Sequence, residues 1–104
     1  MDPDLTKYVS VITFWEISLK FSLGKLELTG ILPDKLPRIA KDTGFDILNL
    51  NQEIASSFYK LPRTKNKDSF DRMLAWQAIN HDYTLLTKDD SFADYKSYGL
   101  KTED

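Results

Sequence analysis

Asp68-Ser69-Phe70-Asp71-Arg72-Met73-Leu74-Ala75-Trp76-Gln77-Ala78 is the stretch whose reading decides the fold. Asp68 is a good helix N-cap, because a short carboxylate there accepts hydrogen bonds from the first unpaired backbone N–H groups. Asp71 then falls in the first turn, where the helix dipole favours negative charge. At about 100° per residue, Asp71, Ala75 and Ala78 share one stripe. Phe70, Met73 and Leu74 flank it on one side, Trp76 and Ile79 on the other. A helix that is apolar almost all round is a buried helix. An acid on such a helix is unusual, since an ionised carboxylate in apolar surroundings is costly unless paired or metal-bound. Two plainer explanations stand beside that one: an acid tuning the dipole, and an acid at the solvent edge.

The rest of the chain sets bounds on what this helix can belong to. Its 104 residues suit one small domain, 1–104, and 41% hydrophobic with 29% charged residues is ordinary for a globular protein. No apolar run is long enough to span a membrane and no signal peptide is present, so the expected location is the cytoplasm, with no membrane partner. The lack of Cys excludes a disulfide scaffold or thiolate metal site, and the lone His makes a His-based zinc site or a Ser-His-Asp triad a poor fit. Any bound metal must be held by carboxylates, which points to a hard cation such as Mg²⁺ or Mn²⁺. With a net charge of −2 there is no global pull toward nucleic acid, so RNA contact would need a local basic patch.

Working outward from the helix, β and α signals alternate. Tyr8–Ile12 reads as a strand. Thr13 and Glu16 have the spacing of a capping box, opening a helix to Leu23 with Gly24 just beyond its end. That helix is apolar nearly all round except for a seam of Thr13, Glu16 and Lys20. Pro33–Lys41 reads as a helix in which Pro37 is tolerable only in the first turn. Phe45–Leu50 reads as a strand, and Asn51 caps a helix to about Tyr59 that Leu61-Pro62 stops. A basic loop with Arg63, Lys65 and Lys67 leads into the Asp68 helix, which runs to Asn80 or His81. Tyr83–Thr87 is a strand of β-formers, Ser91–Lys96 a short helix ended by Gly99, and Leu100–Thr102 a final strand. This alternation indicates α/β architecture with a parallel sheet.

In an open parallel sheet, sites form beyond the carboxyl ends of the strands. Three acids meet that condition: Glu16 after the first strand, Asp71 after a loop, and Asp89 after Tyr83–Thr87. Converging carboxylates without His or Cys suit a hard divalent ion, which lowers the pKa of a bound water and clamps a phosphodiester. Arg63, Lys65, Lys67, Arg72 and Lys88 are candidates for contacts to RNA phosphates.

Ser10-Val11-Ile12-Thr13-Phe14-Trp15-Glu16-Ile17, with Lys20 and Leu23-Gly24-Lys25-Leu26, resembles the first acidic helix of PIN-domain ribonucleases, specifically VapC-type toxins of toxin–antitoxin systems. Lys67 to Leu74 followed by Gln77-Ala78 resembles their third-acid motif, and Leu85-Leu86-Thr87-Lys88-Asp89 with Phe92 their fourth. The resemblance implies a PIN-like three-layer α/β/α fold with a short parallel sheet. It makes Glu16, Asp71 and Asp89 metal-binding, catalytic acids, with Thr87 and Ser10 as supporting hydroxyls. It implies Mg²⁺- or Mn²⁺-dependent RNA cleavage, inhibition by a cognate antitoxin, and dimerisation. The family's first strand and its Asp have no counterpart here, so the resemblance implies an N-terminally truncated fold with a gap between strands Tyr8–Ile12 and Tyr83–Thr87. Asp2 and Asp4 precede the first strand and are not assigned as ligands.

Simpler roles stand beside these. Glu16 works equally as a capping-box residue paired with Lys20, and Asp89 and Asp90 as turn residues. His81 suits a helix C-terminus, where it meets the last carbonyls. Trp15 and Trp76 read as core or interface anchors, and the Arg63–Lys67 loop as a solvated one. Two functions remain open: a metal-dependent endoribonuclease toxin, and a non-catalytic PIN remnant that binds an antitoxin or other partner.

Overall fold

Ser10 sets where the first helix begins. The computed structural model describes residues 5–104, so Asp2 and Asp4 lie outside the described residues. The chain divides into two units, Met1–Asn49 and Leu50–Asp104. In the first, strand β1 (Tyr8–Ser10) feeds helix α1 (Val11–Ser22). Ser10 has extended backbone, φ −73° and ψ 144°, and its hydroxyl accepts the Ile12 N–H at 3.1 Å. This corrects the expected strand to Ile12 and helix from Thr13. Val11 and Ile12 are β-branched, but the helix-propensity cost of such residues is at most about 0.7 kcal/mol each. Burying an Ile side chain returns about 1.5–3 kcal/mol, and Ile12 is only 4% exposed. Thr13 therefore lies inside the first turn, and Glu16 falls one turn later than a capping box needs.

The far end of α1 closes as the sequence indicates. Gly24, at φ +72°, donates to the Phe21 carbonyl at 3.1 Å, and Lys25 donates to the Lys20 carbonyl at 2.9 Å. These paired bonds satisfy carbonyls left open at the helix end. A 3-10 turn (Pro33–Lys35) leads into helix α2 (Leu36–Asp42), with Pro37 in its first turn, where no intrahelical N–H is lost. Strand β2 (Asp46–Leu48) then pairs parallel with β1, Val9 opposite Ile47. Outward-facing Trp15, Leu19 and Leu23, spaced by four, are 61%, 39% and 58% exposed. Trp15 is thus not a core anchor.

The second unit is built around α4 (Ser69–His81). Ala75, Gln77 and Ala78 are buried and Phe70 to Leu74 half-buried, as the nearly continuous apolar surface of this helix demands. Helix α3 (Gln52–Ser57) is capped by Asn51, whose Oδ1 accepts the Ile54 N–H at 2.8 Å, and continues as a 3-10 turn over Phe58–Lys60. Trp76 ties α3 to α4: its indole N–H donates to the Ile54 carbonyl at 3.1 Å and lies 3.3 Å from Ser57 Oγ. Strand β3 (Thr84–Leu86) pairs parallel with β4 (Lys101–Glu103), Leu85 opposite Thr102. Between them a 3-10 helix spans Asp90–Tyr98 and ends at Gly99, φ +101°. Leu61, Ala75, Ala78, Phe92, Tyr95 and Leu100 form the core, with Phe58, Trp76, Ile79 and Leu85 against it.

The architecture is α/β with short parallel strands, as the alternation indicates. Among the described residues the strands form two separate pairs, β1 with β2 and β3 with β4. No helix among the described residues is long and apolar enough to cross a membrane.

Candidate functional site

Two nested turns place Asp71. Asn66 Oδ1 accepts the Asp68 N–H at 3.0 Å, and Asp68 Oδ1 in turn accepts the N–H groups of Phe70 and Asp71 at 2.9 and 3.0 Å. Both are Asx-type bonds, in which a short polar side chain imitates a backbone turn. They bring the basic loop into α4 at a defined angle and leave Asp71 half-buried in the first turn. Its Oδ2 accepts from Asn66 Nδ2 at 3.2 Å.

Asp89 is placed from the β3 side. The Thr87 N–H donates to the Glu103 carbonyl at 2.9 Å, continuing the β3–β4 pairing one residue further. The Thr87 hydroxyl then accepts the Asp89 N–H at 3.0 Å. Asp89 Oδ1 accepts the Ser91 N–H at 2.9 Å and caps the 3-10 helix. Hydrogen bonds from the Ser91 backbone N–H and, second, its side chain hold the Asp89 carboxyl below its usual range. A carboxylate that receives such donors is stabilised in its charged form.

Asn66 and Ser91 link the two acids through hydrogen bonds. Asn66 Nδ2 lies 3.2 Å from Asp71 Oδ2 and 3.1 Å from Ser91 Oγ, the residue bonded to Asp89. The buried Tyr95 donates its hydroxyl to the Asn66 carbonyl at 3.2 Å and anchors the loop to the core. The second unit therefore presents a polar cluster of Asn66, Asp71, Asp89 and Ser91, supported by Asp68, Thr87 and Tyr95. Arg63, Lys65, Lys67 and Lys88 are exposed. Arg72 is turned inward: its guanidinium donates to the Leu61 carbonyl at 3.0 Å and stacks 5.0 Å from the Phe58 ring.

Glu16 belongs to the first unit. It is half-buried in the second turn of α1 and accepts a charged hydrogen bond from Lys20 one turn on. The pairing with Lys20 is as the sequence indicates; the capping-box position is not. Ser10 serves as the α1 cap. His81 stacks on Tyr83, ring centroids 5.1 Å apart, and its Nε2 is buried without a hydrogen-bond partner among the described residues.

The PIN domain family matches residues 2–97. The chain belongs to the PIN domain family. PIN domains are generally nucleases, often found in toxin–antitoxin systems, and typically use divalent metals. No curated protein matches the chain significantly.

The donor chemistry of this PIN domain suits such an ion. Asp71 and Asp89 offer hard oxygen atoms, and Mg²⁺ is commonly held by one or two carboxylates together with waters and substrate phosphates. Among the described residues no three His, Cys, Asp or Glu side chains gather as a metal-holding group. The PIN domain's second unit thus supplies a pair of carboxylates fixed by neutral donors.

Asn66, Ser91 and Tyr95 escape a reading of the sequence for acids and bases. Asn66 and Ser91 carry a local signal, since Asn66-x-Asp68 and Asp89-x-Ser91 both have the i, i+2 spacing of Asx turns. The bond between Tyr95 and Asn66 joins residues 29 apart in the chain, and no local pattern announces it.

Proposed function

We propose that this PIN domain is a metal-dependent endoribonuclease, a VapC-type toxin of a toxin–antitoxin pair that acts in the cytoplasm. The observation that carries the reading is the linkage of Asp71 to Asp89 through Asn66 and Ser91, beyond the carboxyl end of β3. That chain of hydrogen bonds connects acids from two elements next to the end of a strand, where parallel α/β folds build their sites, and so supports the reading.

In this reading Asp71 and Asp89 of the second unit would hold Mg²⁺ or Mn²⁺, and Glu16 of the first unit is proposed as a catalytic acid on the family resemblance alone. A divalent ion supplies Lewis-acid activation of water and charge neutralisation at the scissile phosphate. The protein's own contribution is orientation. Asp68 fixes the first turn of α4, Thr87 and Ser91 fix Asp89, and the exposed Arg63, Lys65, Lys67 and Lys88 meet the RNA backbone by charge. Arg72, bonded to the Leu61 carbonyl and stacked on Phe58, holds the segment that leads into the loop of Arg63, Lys65 and Lys67. A cognate antitoxin is the expected inhibitor and a second copy of the chain the expected dimer partner. The exposed Trp15, Leu19 and Leu23 suit such contacts, because large apolar side chains grouped at a surface favour association.

The test is RNA cleavage by the purified protein with Mg²⁺ or Mn²⁺, against Asp71→Asn and Glu16→Gln. Both variants should lose activity. Cleavage without metal, or full activity in both variants, overturns the reading. One observation favours the non-catalytic alternative: Glu16 is already paired with Lys20. That alternative requires no cleavage with either metal and a stable complex with an antitoxin segment.

A further inference from the structure

We infer that Asn66 is a positioning residue that sets Asp71 and Asp89 relative to one another by donating to both sides of the cluster through a single side-chain amide. The inference rests on the nuclease reading for its functional meaning, but its structural content stands on the hydrogen bonds alone.

The orientation of the Asn66 amide follows from what surrounds it. Asp68 presents an N–H, which requires an acceptor, so Oδ1 must face it at 3.0 Å. Asp71 presents a carboxylate, which when ionised only accepts, so Nδ2 must face it at 3.2 Å. The two hydrogens of Nδ2 then serve two acceptors, Asp71 Oδ2 and Ser91 Oγ at 3.1 Å. Ser91 passes the link on: its hydroxyl accepts from Asn66 and its backbone N–H donates to Asp89 at 2.9 Å. One end of Asn66 thus shapes the entry to α4, and the other end spans from α4 to the start of the 3-10 helix. The Asn66 carbonyl is held by the Tyr95 hydroxyl, so the bridge is mounted on the core rather than on a free loop.

No other side chain of this size does all three jobs. Asp in place of Asn would keep the acceptor for Asp68 and put a third charge against Asp71. Ser would keep a short acceptor for the turn and lack the two-armed donor. A residue that supports a metal ligand in this way typically contributes 10- to 100-fold (about) to metal affinity or activity.

The experiment compares the full chain with Asn66→Ala, Asn66→Ser and Ser91→Ala. In metal-free protein, the side-chain carboxyl carbon signals of Asp71 and Asp89 are followed by NMR. Asn66→Ala and Asn66→Ser should move both signals, and Ser91→Ala should move that of Asp89 and one of the two Asn66 amide protons. Mn²⁺ affinity, read by titration of the metal alone, should fall roughly 10- to 100-fold in the folded Asn66 variants. Cleavage should lose kcat with KM for RNA retained, because the exposed cations are untouched. Asn66→Ser guards against misfolding, since it keeps the turn that Asn66→Ala loses. Unmoved carboxyl signals, or undiminished Mn²⁺ affinity in a folded Asn66 variant, overturn the inference. A wild-type protein that neither binds Mn²⁺ nor cleaves RNA overturns the nuclease reading instead, and the carboxyl signals alone then decide whether Asn66 positions the acids.

Discussion

Removing the Asp68 side chain isolates the device that starts α4. Its Oδ1 receives two backbone N–H groups, from Phe70 at 2.9 Å and Asp71 at 3.0 Å. Asp68 is exposed, so in Asp68→Ala water reaches both freed donors and the loss is that of a cap rather than of a buried bond. Such a loss costs about 1 kcal/mol, within a range of 0.5–2. In a domain of this size, about 1 kcal/mol lowers the melting temperature by about 4–8 °C. Asn at this position also caps well, and loses only the interaction of the negative charge with the dipole, about 0.3–1 kcal/mol. The expected order is therefore wild type, then Asp68→Asn, then Asp68→Ala, followed by circular dichroism at neutral pH on heating and in urea. Added salt should narrow the gap between wild type and Asn but not that between Asn and Ala, because only the dipole term is screened. An Ala variant as stable as wild type, or an Asn variant as unstable as Ala, refutes the capping argument and with it the account of how Asp71 is held.

Other perturbations probe different links. Tyr95→Phe removes only the hydroxyl bonded to the Asn66 carbonyl and should cost about 1 kcal/mol in urea unfolding, whereas Leu61→Ala, at a core residue 2% exposed, should cost about 2–5 kcal/mol. Lys20→Ala should cost no more than about 0.5 kcal/mol, since an i,i+4 pair at the surface of a helix contributes little; a larger loss would give Lys20 a role beyond Glu16. Asp89 has a folded-state pKa below its ordinary 3.8, so the stability it contributes is present above 3.8 and is lost as pH falls through the lower, folded value. Asp89→Asn does not titrate, so acid titration followed by circular dichroism should show a shallower loss of stability below 3.8 than in wild type.

Much of the second unit is legible along the chain because its determinants are local. Asp68 caps α4 as its position before a first-turn acid indicates, and the Asp71, Ala75, Ala78 stripe turns the two alanines into the core. Asn51, Pro37 and Gly99 likewise act where local backbone chemistry puts them. The first helix is misplaced for an equally physical reason. Ser10 and Thr13 are both competent caps, and β-branched Val11 and Ile12 look like strand; the burial of Ile12 and the Ser10 hydrogen bond decide in favour of Ser10. The strands are shorter than their β-forming runs, since pairing partners rather than propensity fix their ends: Tyr83–Thr87 becomes Thr84–Leu86. Among the site residues, Asp71 and Asp89 stand out by type and spacing. Their bridge does not, because Asn66 and Ser91 are 25 residues apart and meet only once the core has formed. Arg72 shows the opposite failure: a cation read as part of a basic rim is used for packing on Phe58.

The central claim is that the Asp71–Asp89 cluster serves RNA cleavage. The most direct measurement is cleavage of a mixed RNA substrate by wild type, Asp71→Asn and Asp89→Asn, each verified as folded, with Mn²⁺ and with a chelator. The account predicts metal-dependent cleavage by wild type and a loss in both variants greater than the roughly 10- to 100-fold typical of residues that merely support a ligand. Metal-dependent cleavage that persists undiminished in folded Asp71→Asn and Asp89→Asn would contradict it.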